Sequence, residues 1–248
     1  MAARFYAVIS TVVVAGVAAC SVLTNLDGLK GPADANDLDG ADADDAAPCD
    51  GGVHVTSFAG FVTSGSASID GDTVTATITT QSDGAVSAYE ERDISIAPSS
   101  VHLAYVITVN FAPAVYAEEG CTLYLFDAQD KQLVRYVIEQ TANANSTLSL
   151  HDAINVTFDG STTNQDRTLG IASAGSPHTV DVTVHVQGAT GTFAATVDGQ
   201  TRNDPLVFDT PPARVTVQCG ISYANANLGD AGGTLTTSVS GIDLEVCP

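Results

Sequence analysis

Apolar and polar residues alternate with a period of two along most of the chain from residue 53 onward. Residues 73–79 read TVTATIT, residues 101–111 alternate in the same way, and residues 180–186 carry four valines spaced two apart. Alternation of this kind places one set of side chains on each face of an extended strand. Each of these segments is therefore predicted to be a half-buried β-strand.

Further strands are predicted at residues 192–197, 214–223 and 235–246, and residues 122–126 and 132–138 predict a hairpin. Turns rich in Gly, Asn, Asp and Pro separate the strands, and no segment of ten residues has convincing helical spacing. About a dozen antiparallel strands in one chain form a sandwich or a jelly roll. The fold class is predicted to be all-β, an antiparallel jelly-roll β-sandwich.

The first twenty residues follow a different pattern. Arg4 precedes an apolar run at residues 7–19, and Val17-Ala18-Ala19-Cys20 has the form of a bacterial lipobox. We expect residues 1–19 to be a lipoprotein signal peptide and Cys20 to carry the lipid that anchors the mature chain to a membrane. The expected location is the bacterial cell envelope, at the outer membrane or the cell surface.

Residues 20–50 contain eight acids and little that is apolar, with alternating Asp and Ala near their end. Such a composition cannot bury enough surface to fold, so the segment is predicted to be a disordered tether. Residues 51–248 then form the β-sandwich domain. They are enough for one substantial core.

The formal net charge of the chain is −21, and beyond residue 50 the acids still outnumber the bases by 15. Nucleic-acid binding depends on Lys and Arg contacts to phosphates. We therefore expect no nucleic-acid partner. The sequence does not determine the oligomeric state.

Five cysteines are present, and lipidation of Cys20 leaves an even number for two disulfides in an oxidising compartment. Four cysteines allow three connectivities. Cys49–Cys247 is favoured because these residues flank the domain and chain ends often lie close together. Cys121–Cys219 then joins two central strands.

Residues 180–199, with the run DVTVHVQGATGTFAATVDG, resemble the paired strands of laminin-G-like and concanavalin A-like jelly rolls. Residues 215–223 and 239–246 resemble the closing strands of the same domains, and the lipobox, tether and domain together resemble myxobacterial surface lipoproteins. The resemblance implies a carbohydrate-binding activity, which calcium often assists. It singles out no set of calcium ligands, so calcium stays open and no other cofactor is expected.

Some concanavalin-like domains are glycosidases, so carboxylate pairs on one strand face are candidate catalytic groups. Asp243 and Glu245 share a face of the last strand, and Glu90, Glu91 and Asp93 form a second acidic run. Gly241 occupies the place of the first acid of the glycosidase motif, and Arg92 interrupts the second run. Solvated strand faces are the favoured interpretation of both.

The five histidines at positions 54, 102, 151, 178 and 185 are scattered, with no pair at metal-ligand spacing and no Gly-x-Ser-x-Gly turn. We therefore expect no catalytic residue, no resident metal and no enzymatic activity.

Tyr89 and Tyr116 lie near predicted strand ends and are candidate rim residues for sugar stacking, whereas Tyr105 is expected in the core. The predicted function is a cell-surface lipoprotein that presents a binding module for carbohydrate or extracellular polymer. The alternatives are a structural or protein-interaction envelope lipoprotein without a small ligand, and a divergent glycosidase.

Overall fold

The computed structural model describes residues 49–80, 86–110, 115–142, 148–171, 175–226 and 233–248. The predicted signal peptide, Cys20 and the tether up to residue 48 lie outside these ranges. The described chain consists of strands joined by turns, and two antiparallel sheets pack into a jelly-roll β-sandwich. The predicted all-β fold is confirmed. No helix within the described ranges has the length and hydropathy needed to cross a membrane.

Sheet A has the strand order β13-β12-β11-β6-β15-β4-β3, and β1 also pairs with β15. Its strands are β1 (Val53–Val55), β3 (Ala67–Asp70), β4 (Thr73–Thr80), β6 (Ser100–Asn110), β11 (Pro177–Gln187), β12 (Thr190–Val197), β13 (Gln200–Val207) and β15 (Gly233–Cys247).

Sheet B has the order β10-β9-β8-β7-β14-β5-β2. Its strands are β2 (Val62–Ser64), β5 (Val86–Ile94), β7 (Val115–Phe126), β8 (Gln132–Ala142), β9 (Leu148–Phe158), β10 (Ser161–Ile171) and β14 (Arg214–Ala226). The predicted hairpin is β7–β8, which closes at a turn where Asp130 has a positive φ of 60°.

The apolar residues of the alternating pattern form one core between the two sheets. Val180, Val182 and Val184 of β11 are buried in it, and Tyr105 of β6 is buried as predicted. Val186 is only partly buried at the margin of the core. Because successive strand residues point to opposite faces, the remaining side chains form two outer faces, one on each sheet.

Two disulfides link distant parts of the chain: Cys49–Cys247 and Cys121–Cys219. This is the connectivity that the sequence favoured. The first joins the start of the described domain to its last strand. The second lies in the core, where Cys121 of β7 is directly opposite Cys219 of β14.

Candidate functional site

The outer face of sheet B carries the densest set of aromatic, amide and charged side chains. One row crosses six adjacent strands in register, from β5 to β10, and contains Asp93, Thr216, Tyr124, Arg135, Asn155 and Asn164. A second row crosses β14 to β10 and contains Tyr223, Glu118, Glu139, His151 and Thr168. We call this surface the sheet B face.

The floor of the sheet B face is sheltered from solvent. Thr122 of β7, Val137 of β8 and Ala153 of β9 point away from the sandwich core, yet each has no exposed surface. Val137 and Ala153 do not belong to the main core cluster. A floor of small and apolar groups flanked by longer polar ones is the usual construction of a ligand-binding surface.

A hydrogen-bonded chain runs across the middle of the face. The Tyr124 hydroxyl donates to Oε1 of Gln218 at 3.3 Å, and Nε2 of Gln218 donates to Oε2 of Glu91 at 2.5 Å. Burial, then the nearby Tyr89 and Glu91, raise the pKa of Tyr124 to about 12. Tyr124 is therefore a neutral hydroxyl donor throughout the physiological pH range.

Tyr124 is also an aromatic platform. Its ring lies 5.8 Å from that of Phe126 in a stacked arrangement, and the Arg135 guanidinium lies 5.9 Å from its centroid. Cation–π contact of this kind fixes the orientation of both groups. The ring and the guanidinium together form one edge of the face.

Glu118 is the most heavily bonded carboxylate of the face. It pairs with Arg135, accepts from the Tyr116 hydroxyl at 3.2 Å and accepts from Ser222 at 3.4 Å. The Tyr116 ring meets that of Tyr223 edge-on, with centroids 5.9 Å apart. Burial, followed by the negative charge of Glu139, raises the pKa of Tyr116 well above its ordinary value. Tyr116 is thus a second neutral donor.

Glu139 lies directly opposite Glu118 in the β7–β8 register, so two carboxylates face the same surface from adjacent strands. Side chains opposite each other in an antiparallel pair have Cβ atoms about 4.5–5.5 Å apart. Glu118 is buried and Glu139 is half-buried. No motif in the sequence singles out this pair, because only strand pairing brings the two residues together.

The predicted candidates are distributed over both sides of the sandwich. Tyr89 and Tyr116 lie on the sheet B face, as do Glu91 and Asp93. Glu90 instead turns inward, where it is fully buried and its two carboxylate oxygens share the hydrogen bond from the Thr63 hydroxyl.

Asp243 and Glu245 lie on the outer face of sheet A and not on the sheet B face. Asp243 bonds His54 at 2.7 Å, and Glu245 accepts from the backbone nitrogen of Cys49 at 3.0 Å. Asp243 and Glu245 therefore have structural partners.

Four of the five histidines lie beside an aspartate. The pairs and their distances are His54–Asp243 at 2.7 Å, His102–Asp181 at 3.4 Å, His151–Asp166 at 3.2 Å and His178–Asp198 at 2.6 Å. Only the His151 pair lies on the sheet B face.

One group of metal-ligating side chains lies close together within the described part of the chain: Cys49, Glu245 and Cys247. Both of these cysteines are in a disulfide, so neither supplies the thiolate that binds a metal.

Negative charge predominates on the sheet B face. Within the described residues, two arginines, Arg135 and Arg214, stand against five acids: Glu91, Asp93, Glu118, Glu139 and Asp166. Arg135 pairs with Glu118, and Arg214 pairs with Asp93 at 2.7 Å and with Asp130 at 3.0 Å. Neither guanidinium is left to neutralise an added anion.

No family model and no curated protein matches this sequence. The fold of this chain resembles those of several solved structures. Alginate lyase A1-II′ is 10% identical, with a TM-score of 0.50 over 69% of this chain and 78% of that one. A polysaccharide lyase of family 18 is 8% identical, with a TM-score of 0.49 over 73% of this chain and 90% of that one. An alginate lyase from Pseudomonas aeruginosa is 12% identical, with a TM-score of 0.46 over 70% and 82%.

These comparisons bear on the fold and correct one prediction. The architecture shared with alginate lyase A1-II′ is the jelly-roll β-sandwich. The expectation of no enzymatic activity is contradicted at the level of the fold, because alginate lyase A1-II′, a solved structure with the same fold, is an enzyme. That expectation relied on the absence of linear motifs. A site assembled from side chains on separate strands leaves no such motif in the sequence.

Proposed function

We propose that the sheet B face binds a polysaccharide chain. The observation that carries the proposal is the combination of the Tyr124 and Tyr116–Tyr223 rings with the hydrogen-bonding groups of Gln218 and Asn155 around a sheltered floor. Aromatic rings provide flat surfaces for the apolar faces of sugars, and amides and hydroxyls match sugar hydroxyl groups. The lyase-like fold is consistent with a carbohydrate ligand.

The charge of the face indicates the class of polysaccharide. A polyuronate such as alginate would bring a carboxylate on every sugar against five acids and two arginines that are already paired. The carboxylates of the polymer and of the sheet B face would repel each other, and added salt would weaken this repulsion. A neutral or amino-sugar polymer suits this surface better.

Binding can be measured by affinity electrophoresis of the full chain in gels that contain a neutral glucan, chitosan or alginate. We expect retardation by the neutral or amino-sugar polymer and weaker retardation by alginate. Tyr124→Ala and Gln218→Ala should each lose most of the retardation. Thr236→Ala, on the outer face of sheet A, is the matched control and should behave as the unaltered chain.

Equal retardation of all variants would overturn the assignment of the face. Stronger binding of alginate than of the neutral polymers would overturn the charge argument, while the location of the site would stand.

A second candidate function is cleavage of the bound glycan, and the Glu118–Glu139 pair supports it. Retaining glycoside hydrolysis needs two carboxyl groups about 5–5.5 Å apart on one surface. In this proposal Glu118, which is held by Arg135, Tyr116 and Ser222, is the nucleophile, and Glu139 is the acid that protonates the leaving oxygen. The nucleophile would form a glycosyl-enzyme, which water then hydrolyses.

Release of reducing sugar from the polymer that binds is the test of cleavage. We expect Glu139→Gln to abolish release while binding persists, because the amide keeps the shape of the side chain but cannot donate the proton. Cleavage that continues at the normal rate in Glu139→Gln would remove this pair from consideration.

We further propose that Cys20 is lipidated and that the domain works at the bacterial cell envelope. The support is the lipobox at residues 17–20 and the acidic tether that follows it. Labelling with an azide-bearing fatty acid should mark the unaltered chain and not Cys20→Ala. Equal labelling of both would exclude the anchor.

A further inference from the structure

A group of polar side chains without hydrogen-bond partners lies inside the sandwich, on the side of sheet B opposite the proposed glycan site. In the described part of the chain, six buried side-chain atoms lack a partner. Five of them belong to three residues: both carboxylate oxygens of Glu119, both amide atoms of Gln140 and the hydroxyl of Thr237. None of the three side chains has any exposed surface.

Strand pairing brings Glu119 and Gln140 together, and Thr237 faces Glu119 from the other sheet. Glu119 of β7 is opposite Ile138 of β8, and Gln140 lies two residues further along β8, opposite Ala117. Glu119 and Gln140 are therefore diagonal neighbours on the inner face, within reach of long side chains. Thr237 of β15 approaches from sheet A and partly offsets the effect of burial on the Glu119 carboxyl, although the two groups are outside hydrogen-bonding geometry.

Within the described residues, no charged side chain pairs with Glu119. Burial dominates its electrostatics, and the one other contribution is the neutral Thr237 hydroxyl. The neighbouring sheet A strand β6 contributes Tyr105, whose hydroxyl donates to the backbone oxygen of Cys121 at 3.4 Å and whose ring lies beside Gly120. Buried polar atoms in native proteins are nearly always satisfied by protein, water or an ion. A cluster of five orphan atoms marks a place where such a partner belongs.

We propose that Glu119, Gln140 and Thr237 form an internal binding site for one hard, oxygen-binding cation. The three side chains offer four oxygen atoms: two from the carboxylate, one from the amide and one from the hydroxyl. Oxygen-only donor sets suit Ca²⁺ or Na⁺, whereas zinc and copper prefer imidazole and thiolate. The cation would neutralise the Glu119 carboxylate and satisfy the orphan oxygens in a single step.

The site is separate from the proposed glycan surface. Glu118 and Glu119 are consecutive, so their side chains point to opposite faces of β7. Binding of the cation is therefore expected to affect stability rather than to contact the glycan.

Thermal unfolding of the full chain after treatment with a chelator is the test. Separate samples receive CaCl₂, MgCl₂, NaCl or choline chloride at matched ionic strength. We expect one of the metal salts to raise the Tm in a saturable manner, and choline chloride to have no such effect. Equilibrium dialysis should then find one ion per chain.

Glu119→Gln should abolish the metal-dependent rise in Tm, because the amide keeps the size of the side chain and removes its charge. Asp181→Asn, which removes one exposed acid on the outer face of sheet A, is the matched control and should keep the response. If Glu119→Gln does not fold, Thr237→Ala provides the same comparison, with binding expected to weaken about tenfold or more.

Two results would overturn the proposal. One is an identical response of the unaltered chain and of Glu119→Gln, which would attribute the effect to surface acids. The other is the absence of any metal response, which would show that the carboxyl is neutralised by its own proton and not by a cation.

Discussion

Asp152 shows how a single buried charged residue organises its surroundings. It has no exposed surface, lies on the inner face of β9 and is held by Arg167 through two bonds of 3.0 and 2.5 Å. Arg202 reaches it from β13 of the opposite sheet at 3.3 Å and also pairs with Asp204. The cluster of Asp152, Arg167, Arg202 and Asp204 therefore bridges the two sheets and balances its own charge.

Asp152→Ala is expected to lower the free energy of unfolding by about 3–5 kcal/mol, because it leaves the sheltered Arg167 guanidinium without its carboxylate and leaves Arg202 with Asp204 as its one carboxylate partner. Urea denaturation measures the change. Asp166→Asn, one strand away on the outer face, is the control and should cost less than about 1 kcal/mol. Equal losses in the two variants would contradict the role of the cluster.

Glu119 is the second residue whose environment controls its chemistry. Burial raises its pKa from 4.5 to about 8. Between these values the native state keeps a proton that the unfolded chain has released, so stability falls as the pH rises through this window. Above about pH 8 this contribution levels off.

In chelator-treated protein, the free energy of unfolding should fall between about pH 4.5 and pH 8, by at most about 1.4 kcal/mol per pH unit from this group. Glu119→Gln should show a shallower pH dependence over the same range. The difference between the two denaturation series isolates the residue. Parallel curves would show that the carboxyl is not the source.

At the scale of elements, a bulge in the centre of β7 restricts which residues the strand can contain. Between Glu119 and Leu123 the strand advances four residues while β8 advances two, so β7 bulges there. Gly120 lies in the bulge with a φ of +84°, and a Cβ at this position would come within 2.9 Å of the Tyr105 hydroxyl. Glycine is required for both reasons.

Gly120→Ala is expected to destabilise the protein by about 1–3 kcal/mol more than Gly71→Ala. Gly71 also has a positive φ, of 60°, but a Cβ there would meet no atom within 4 Å. Subtracting the two measured values removes the shared cost of the left-handed backbone and leaves the cost of the clash. If the two variants lose the same stability, the side chains around Tyr105 can rearrange to accommodate the added methyl group without cost.

At the scale of the whole molecule, the Cys49–Cys247 disulfide closes the described domain across a sequence separation of 198 residues. A loop of this length restricts the unfolded chain strongly. Cys121–Cys219 adds a second closure, with a separation of 98 residues, inside the core.

The double variant Cys49→Ala with Cys247→Ala should lose about 5 kcal/mol of stability in the chain-entropy model. Denaturation of the unaltered chain and of the variant under oxidising conditions measures this loss. The variant should keep its β-sheet circular dichroism, because the core strands do not depend on the bond. An unchanged denaturation midpoint would show that the ends are held by other contacts.

The sequence alone was sufficient for the all-β sandwich, the β7–β8 hairpin and the burial of Tyr105 and of three of the four β11 valines. Each follows from alternation, which is a local property and needs only neighbours in the chain. The disulfide pairing was favoured for an equally simple reason, the proximity of domain ends. The negative net charge follows from the amino-acid composition alone.

Only the tertiary structure decided what the polar strand residues do. Alternation predicts that the side chains of Glu118 and Glu119 point to opposite faces of the sheet. Strand pairing determines which of the two faces the core. The sheet order β8-β7-β14-β5 brings Arg135, Tyr124, Gln218 and Glu91 onto one surface from four separate segments. Such a surface depends on contacts between residues far apart in the chain, and no local pattern encodes them.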